Sequence, residues 1–280
     1  MKRIMTIQDI SCVGKCSLTV ALPIISAAGV EAGVLPTAVL SNHTAFPTFT
    51  FCDLTDEIQG ISDTLLENKI DFDAIYTGYL GSFRQLKLVE EFIKRYREGA
   101  TVVVDPAMAD NGKLYHGFTP EFASAMAELC GKADIIIPNI TEASFMLGIE
   151  YNPSYDEEYI KGVLKALTGL GAKTAALTGI GFSEDEIGVY AYNAETDEYF
   201  SYFNERLSVS FHGTGDIYAS ATVGALMRGF SVNEALAIAV DFTLESMKKT
   251  LADPAYRTYG VNFEEALPYY IRRLEGNGKN

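Results

Sequence analysis

Histidine is scarce in this chain, basic residues are outnumbered, and no apolar run is long enough to cross a membrane. Three histidines and four scattered cysteines (Cys12, Cys16, Cys52, Cys130), with no CxxC pair, leave no ligand set with zinc spacing. Lysine and arginine number 22 against 37 aspartates and glutamates, a net charge of −15. So acidic a chain excludes a nucleic-acid groove and a polybasic membrane contact. The same field repels any phosphorylated substrate, and a bound divalent cation is the natural remedy. Met1–Ile10 holds only short apolar runs, and the tail carries no anchor motif, so reduced thiols and a cytoplasmic location are expected. What is abundant is apolar: 48% hydrophobic residues against 21% charged predict a globular chain with a large core.

Strand-like and helix-like patterns alternate along the first two thirds. Strands are predicted at 2–8, 34–40, 74–77, 101–104, 134–137 and 173–178, with helices at 17–29, 53–69, 82–97, 119–130, 141–147 and 155–169. Ser17 is the expected N-cap of the first helix, which Pro23 should kink. Strands as apolar as 101–104 belong in a parallel sheet covered by helices. The alternation then breaks. Residues 187–192 and 198–203 read as a hairpin, and the chain from 217 onward is almost wholly helical. No linker or repeat interrupts it, so a single domain over 1–280 is expected. In such sheets ligands bind beyond the carboxyl ends of the strands.

The most informative stretch is Gly213-Thr214-Gly215-Asp216, ahead of the long helical pattern. Two glycines let the backbone turn tightly, and the helix points its positive end at the same spot. The carboxylate of Asp216 beside such an anion hole is placed to take a proton from a hydroxyl that attacks a phosphoryl group. Gly14-Lys15-Cys16-Ser17 lies where a P-loop would lie, but Asp9 and Cys16 stand where the motif needs a glycine and a Ser or Thr. Asp105-Pro106, Asp110 and Pro138-Asn139-x-x-Glu142 follow neighbouring strands. Two readings of these stay open: oxygen ligands for Mg²⁺, or an Asn139 N-cap with Glu142 at N3 and Asp105 closing a turn.

Taken in order, Asp105-Pro106, Pro138-Asn139-x-x-Glu142, Thr178-Gly179 and Gly213–Asp216 resemble the ribokinase superfamily. Ile7-Gln8, Ser41-Asn42-His43-Thr44 and Gly78-Tyr79-Leu80-Gly81-Ser82 narrow the resemblance to the pyridoxal/pyridoxine/pyridoxamine kinases, over residues 4–250. The resemblance implies a ribokinase-like three-layer α/β/α fold, with a central mostly parallel sheet and a small β-hairpin edge or lid. It implies an ATP-dependent kinase that phosphorylates the 5′-hydroxymethyl group of a pyridoxal-type vitamer in pyridoxal phosphate salvage, acting on small molecules as a homodimer. Asp216 would be the general base, with Gly213, Thr214 and Gly215 holding the transferring phosphoryl group. Asp9, Ser41, His43, Thr44, Tyr79 and Tyr115 would line the acceptor side, His43 through ligand contact or a structural hydrogen bond. Asp105, Asp110, Asn139 and Thr178 would hold ATP, and Glu142 and Asp105 the Mg²⁺, with a monovalent cation as a further candidate. Asp9 departs from the serine common in that family, which favours an acceptor bearing ammonium, amino or NH groups. A hydroxymethylpyrimidine kinase is the nearest alternative, and a non-catalytic vitamer-binding protein the alternative of another class.

Overall fold

The computed structural model describes residues 1–276, which cluster into two compact units. The first joins Met1–Ile75 to the chain from Leu207 onward, and the second runs from Tyr76 to Arg206. The first opens with β1 (Arg3–Ser11), α1 (Leu18–Ala27), β2 (Glu31–Leu40), β3 (Phe51–Asp53) and α2 (Thr55–Glu67). Strand β1 is buried along nearly its whole length, as a parallel strand covered on both faces must be. It pairs parallel with β2 from Arg3↔Glu31 to Ser11↔Leu40, with a break in register between Gln8 and Ile10. Pro36, opposite Gln8, has no N–H to give, so the ladder loosens where Asp9 sits.

Next come β4 (Ala74–Thr77), α3 (Phe83–Tyr96), β5 (Thr101–Val104), β6 (Ala109–Asp110), β7 (Lys113–Leu114) and α4 (Pro120–Cys130). They are followed by β8 (Ile135–Ile136), α5 (Ile140–Leu147), α6 (Glu157–Thr168), β9 (Thr174–Ile180), β10 (Glu186–Asn193) and β11 (Glu198–Glu205). In the second unit the strand order is β11-β10-β9-β8-β5, parallel from β5 through β9. The expected hairpin is the edge of this sheet: β10 pairs antiparallel with β9 over Gly188–Asn193, and β11 lies outside it. Caps set the helix starts, with Ser82 accepting from Gln85 N–H, Thr119 from Phe122 N–H and Asp156 from Tyr159 N–H.

The chain returns to the first unit as α7 (Thr214–Met227), α8 (Val232–Ala252) and α9 (Phe263–Glu275). Helix α7 is buried on every side from Ile217 to Ala225, which demands small residues such as Ala219, Ser220 and Ala221. The Tyr270 hydroxyl donates to the Ala221 carbonyl at 2.9 Å, and a side chain at Gly224 would run into that hydroxyl. The register of α7, and with it the place of Asp216, is thereby fixed. No helix among the described residues is long and apolar enough to cross a membrane.

The structure differs from the sequence reading at several borders. Strand β1 continues three residues past Gln8, so Asp9 lies inside the strand rather than after it. Ser17 occupies the N-cap position of α1 without a side-chain cap, because its groups are engaged elsewhere. The short β3 and the β6–β7 hairpin were not expected. The signal for the latter was Asn111-Gly112, both at positive φ (51° and 74°), the turn that two-residue hairpins favour. A Cβ at Gly112 would lie 2.8 Å from the Tyr151 ring. Gly112→Ala should therefore lower unfolding free energy by about 1–3 kcal/mol in urea titration, and an unchanged midpoint would contradict this account of the turn.

Candidate active site

In the first unit, Asp216 stands in the first turn of α7, half-buried. The helix begins on Gly213 at φ 81°, with no side chain to cap its first amides. A side chain at Gly213 would strike the Lys15 carbonyl, so glycine is needed there for space as well as for conformation. Burial pushes the Asp216 carboxyl up to about 7, opposed by a hydrogen bond from the Ser17 backbone N–H and reinforced by the charge of Asp9. Asp9, 5% exposed, is likewise raised by burial and held down by the hydroxyls of Ser17 and Ser11. The Ser11 hydroxyl donates to Asp9 Oδ2 at 3.1 Å. Ser17 thus favours the ionised form of both carboxylates, through its amide and its hydroxyl.

The loop that delivers Ser17 is the stretch that mimics a P-loop. Gly14, Lys15 and Ser17 all have positive φ (149°, 51° and 49°), and each non-glycine in such a region costs about 1–3 kcal/mol. Cys16, between them, is pushed up to about 12 by burial and by the Asp216 and Asp9 charges. The His43 ring is engaged at both nitrogens. Its Nδ1 accepts from Ala45 N–H at 3.1 Å, and its Nε2 lies 3.0 Å from the Tyr259 carbonyl, so a neutral Nε2–H ring fills both bonds. Its ring also closes on Gly14, where a Cβ would collide. Ser41 ties its own loop together: its hydroxyl donates to Asn42 Oδ1 at 2.8 Å and accepts from Thr50 N–H at 2.9 Å. Thr44, its neighbour in the motif, is exposed.

The second unit holds the other group. Asp110, Asn139 and Thr178 line one cavity of about 660 Å³, together with Tyr155, Gly179 and Arg206. The ends of β8 and β9 are clamped there by the Thr178 N–H to Pro138 carbonyl bond (3.0 Å) and an Asn139–Thr178 bridge. Asn139 and Glu142 form a full capping box on α5, and Asn139 Nδ2 donates to the Ala109 carbonyl at 2.8 Å. Asp105 and Glu142 do not line the cavity; both are buried, and both act on the thiol of Cys130. Tyr79 sits 5.5 Å from the Phe118 ring, which stacks on Phe122 at 4.3 Å, and Tyr115 is 44% exposed on the intervening loop.

A divalent cation fits this second group in a particular way. Glu142 Oε1 accepts from Met108 N–H (3.1 Å) and Oε2 from Asn139 N–H (2.9 Å), while burial pushes its carboxyl up to about 8. A buried carboxyl held that high gains from a nearby cation. Among the described residues no three His, Cys, Asp or Glu side chains form a closed metal cluster. A bound Mg²⁺ keeps several of its waters and takes one or two carboxylates plus phosphate oxygens. The sequence reading missed Ser17, whose contribution is a backbone N–H, and Tyr155 and Arg206, which stand outside the motifs.

A family model described as phosphomethylpyrimidine kinase matches residues 22–257. The pyridoxine kinase of Bacillus subtilis is 31% identical over 215 residues, 75% of this chain and 74% of that protein. A Bacteroides thetaiotaomicron protein assigned as a phosphomethylpyrimidine kinase, crystallised with pyridoxal, is 38% identical with a TM-score of 0.91, over 96% of this chain and 95% of that one. The pyridoxal kinase of Lactobacillus plantarum is 29% identical with a TM-score of 0.91, over 99% of both chains. With this fold, these strand-end motifs and matches over nearly the whole chain, the protein belongs to the pyridoxal kinase family of the ribokinase superfamily, within the phosphomethylpyrimidine kinase family model.

Proposed function

We propose that this chain transfers the γ-phosphoryl group of ATP to the 5′-hydroxymethyl group of a pyridoxal-type vitamer. The observation that carries the reading is Asp216, a half-buried carboxylate raised to about 7 in the first turn of a helix whose leading amides have no side-chain cap. A base with a pKa near the working pH combines availability with proton affinity. Asp216 takes the proton of the attacking hydroxyl while the new O–P bond forms and the bond to the β-phosphate oxygen breaks, releasing ADP. The N–H groups of Gly213–Gly215 receive the transferring phosphoryl oxygens, and the Ser17 N–H keeps the carboxylate aimed. Asp110, Asn139 and Thr178 position the nucleotide from their shared cavity. Mg²⁺ would be held on the Asp105, Asp110 and Glu142 side, where it would neutralise phosphate charge. Tyr79, Thr44 and Tyr115 serve the acceptor, which carries no phosphate and so needs no arginine clamp. A homodimer is part of the same reading, open to check by light scattering.

Asp216→Asn should lower kcat by about 10²–10⁴-fold with little change in KM, and a variant that keeps half its activity removes Asp216 from the mechanism. In the wild type, Asp216 must be ionised to accept the proton. The value of kcat/KM should therefore be flat above about pH 7 and fall about tenfold per pH unit below it. An acid limb centred near pH 4 would mean that the base is held in open water.

Chelation of divalent cations should abolish turnover and added Mg²⁺ restore it, because a chain of net charge −15 accepts ATP poorly without a cation. Full turnover in excess chelator would sink this part of the reading.

Asp9 should bias acceptor choice. A charged hydrogen bond is worth about 1.5–3 kcal/mol against about 0.5–1.5 for a neutral one, so a shift of about tenfold toward pyridoxamine over pyridoxal is expected. Asp9→Ser should reverse it with the ATP KM unmoved. Equal acceptor ratios in the two proteins would leave Asp9 without that role.

A further inference from the structure

The cavity of the second unit has walls of opposite character. Tyr151, Tyr155 and Phe182 give it an aromatic side, and polar groups make up much of the rest. The charged residues that line it are Asp110, Glu184 and Arg206, so two carboxylates stand against one guanidinium. A phosphate chain that enters so acidic a protein is repelled by the first two and attracted by the third. Arg206 stands outside every motif that carries the family resemblance, and the proposed reaction so far assigns it no part.

The edge hairpin puts it there. Glu186, the first residue of β10, pairs with Glu205, the last of β11, and Arg206 is the next residue along the chain. Its backbone N–H donates to the Asp185 carbonyl at 2.8 Å, and its Nε–H donates to the Glu186 carbonyl at 3.2 Å. Both acceptors are neutral, so these bonds orient the guanidinium without cancelling its charge. The turn beside it is stitched as well. Phe182 N–H donates to Glu186 Oε1 at 3.0 Å, and Gly181 N–H to the Tyr155 hydroxyl at 3.4 Å. Gly181 makes the room: a Cβ there would lie 3.0 Å from Arg206 Nη2 and would strike the Glu186 carbonyl. A guanidinium fixed at Nε still has a planar fork of N–H groups, the geometry that takes two phosphate oxygens at once.

We infer that Arg206 is a phosphate-binding residue for the nucleotide: the hairpin holds its guanidinium at the cavity, where it takes oxygens of the polyphosphate chain. The inference rests on the reading that the nucleotide occupies this cavity. It gives the hairpin the task of delivering the cation that the cavity lining otherwise lacks. The contact is made on binding, before transfer, so it acts on KM for ATP and leaves kcat nearly alone.

The test is binding of Mg²⁺-ATP by calorimetry with no acceptor present, in the wild type and three variants. In Arg206→Met the Kd should rise about ten- to a hundredfold, as loss of a charge-assisted contact requires. Arg206→Lys should recover part of that loss, since it keeps the charge without the fork. Glu184→Gln touches neither bond that orients Arg206; it removes an opposing charge and should lower the Kd by about threefold. Added salt should weaken ATP binding more steeply in the wild type than in Arg206→Met, because the lost attraction is one that salt screens. In turnover, KM for ATP should follow Kd, with kcat changed by less than about twofold. An unchanged Kd in Arg206→Met would overturn the inference and leave the arginine a tie within the hairpin, with the nucleotide site intact. A rise that Arg206→Lys shares in full, with the salt dependence of the wild type, would also overturn it, since that reports a misshapen cavity. Wild-type protein that binds no Mg²⁺-ATP would instead remove the nucleotide from this cavity, and the inference with it.

Discussion

In the proposed reaction Asp216 must be withdrawn from water far enough to be a competent base and still be able to lose its proton, and the contacts of the first unit bear on that tension. Burial and the neighbouring Asp9 both work against ionisation, while the Ser17 amide works for it. That amide comes from a loop whose backbone is strained at Lys15 and Ser17 and that closes only because glycine stands at 14, 213 and 260. His43, with both ring nitrogens engaged, presses on the same loop from the other direction. On the helix side, α7 is buried all round and locked by Tyr270, so the carboxylate has little freedom to drift from the amide. A one-residue change in any of these contacts bears on the same proton.

Charge poses the second constraint. A chain with net charge −15 that accepts a triphosphate needs either a local positive surface or a cation, and the cavity of the second unit sets a single cation, Arg206, against Asp110 and Glu184. The capping box of Asn139 and Glu142 shows how one pair of residues serves two ends. It closes the N-terminus of α5 and also holds a carboxylate, raised to about 8, where a cation would lower its cost.

Elements whose boundaries depend on local chemistry were legible in the sequence. The strands at Ala74–Thr77 and Thr101–Val104 are short runs of buried, mostly apolar residues, and Ser82, Thr119 and Asn139 announce their helices as side-chain caps. The edge strand β3 was not legible, because its three residues are exposed and carry no burial pattern. The β6–β7 hairpin was signalled by Asn111-Gly112 and passed over because each strand has only two residues. For the site, residue types marked Asp216, Asp110, Asn139 and Thr178 as candidates, and the last three meet in one cavity, while the influence of Ser17 on Asp216 was invisible because a backbone N–H has no residue type. The residue pattern at 14–17 lacks the residues of a P-loop, and its contact with Gly213 is tertiary and leaves no trace in local spacing.

The most direct measurement is a competition in one vessel. The protein is incubated with Mg²⁺-ATP and equal amounts of pyridoxal, pyridoxine, pyridoxamine and hydroxymethylpyrimidine, and the phosphorylated products are identified by mass. The account predicts 5′-phosphorylated vitamers as the main products, pyridoxamine phosphate prominent among them, with ADP formed in equal amount. Phosphorylated hydroxymethylpyrimidine alone, or ligand binding with no ADP formed, would contradict it.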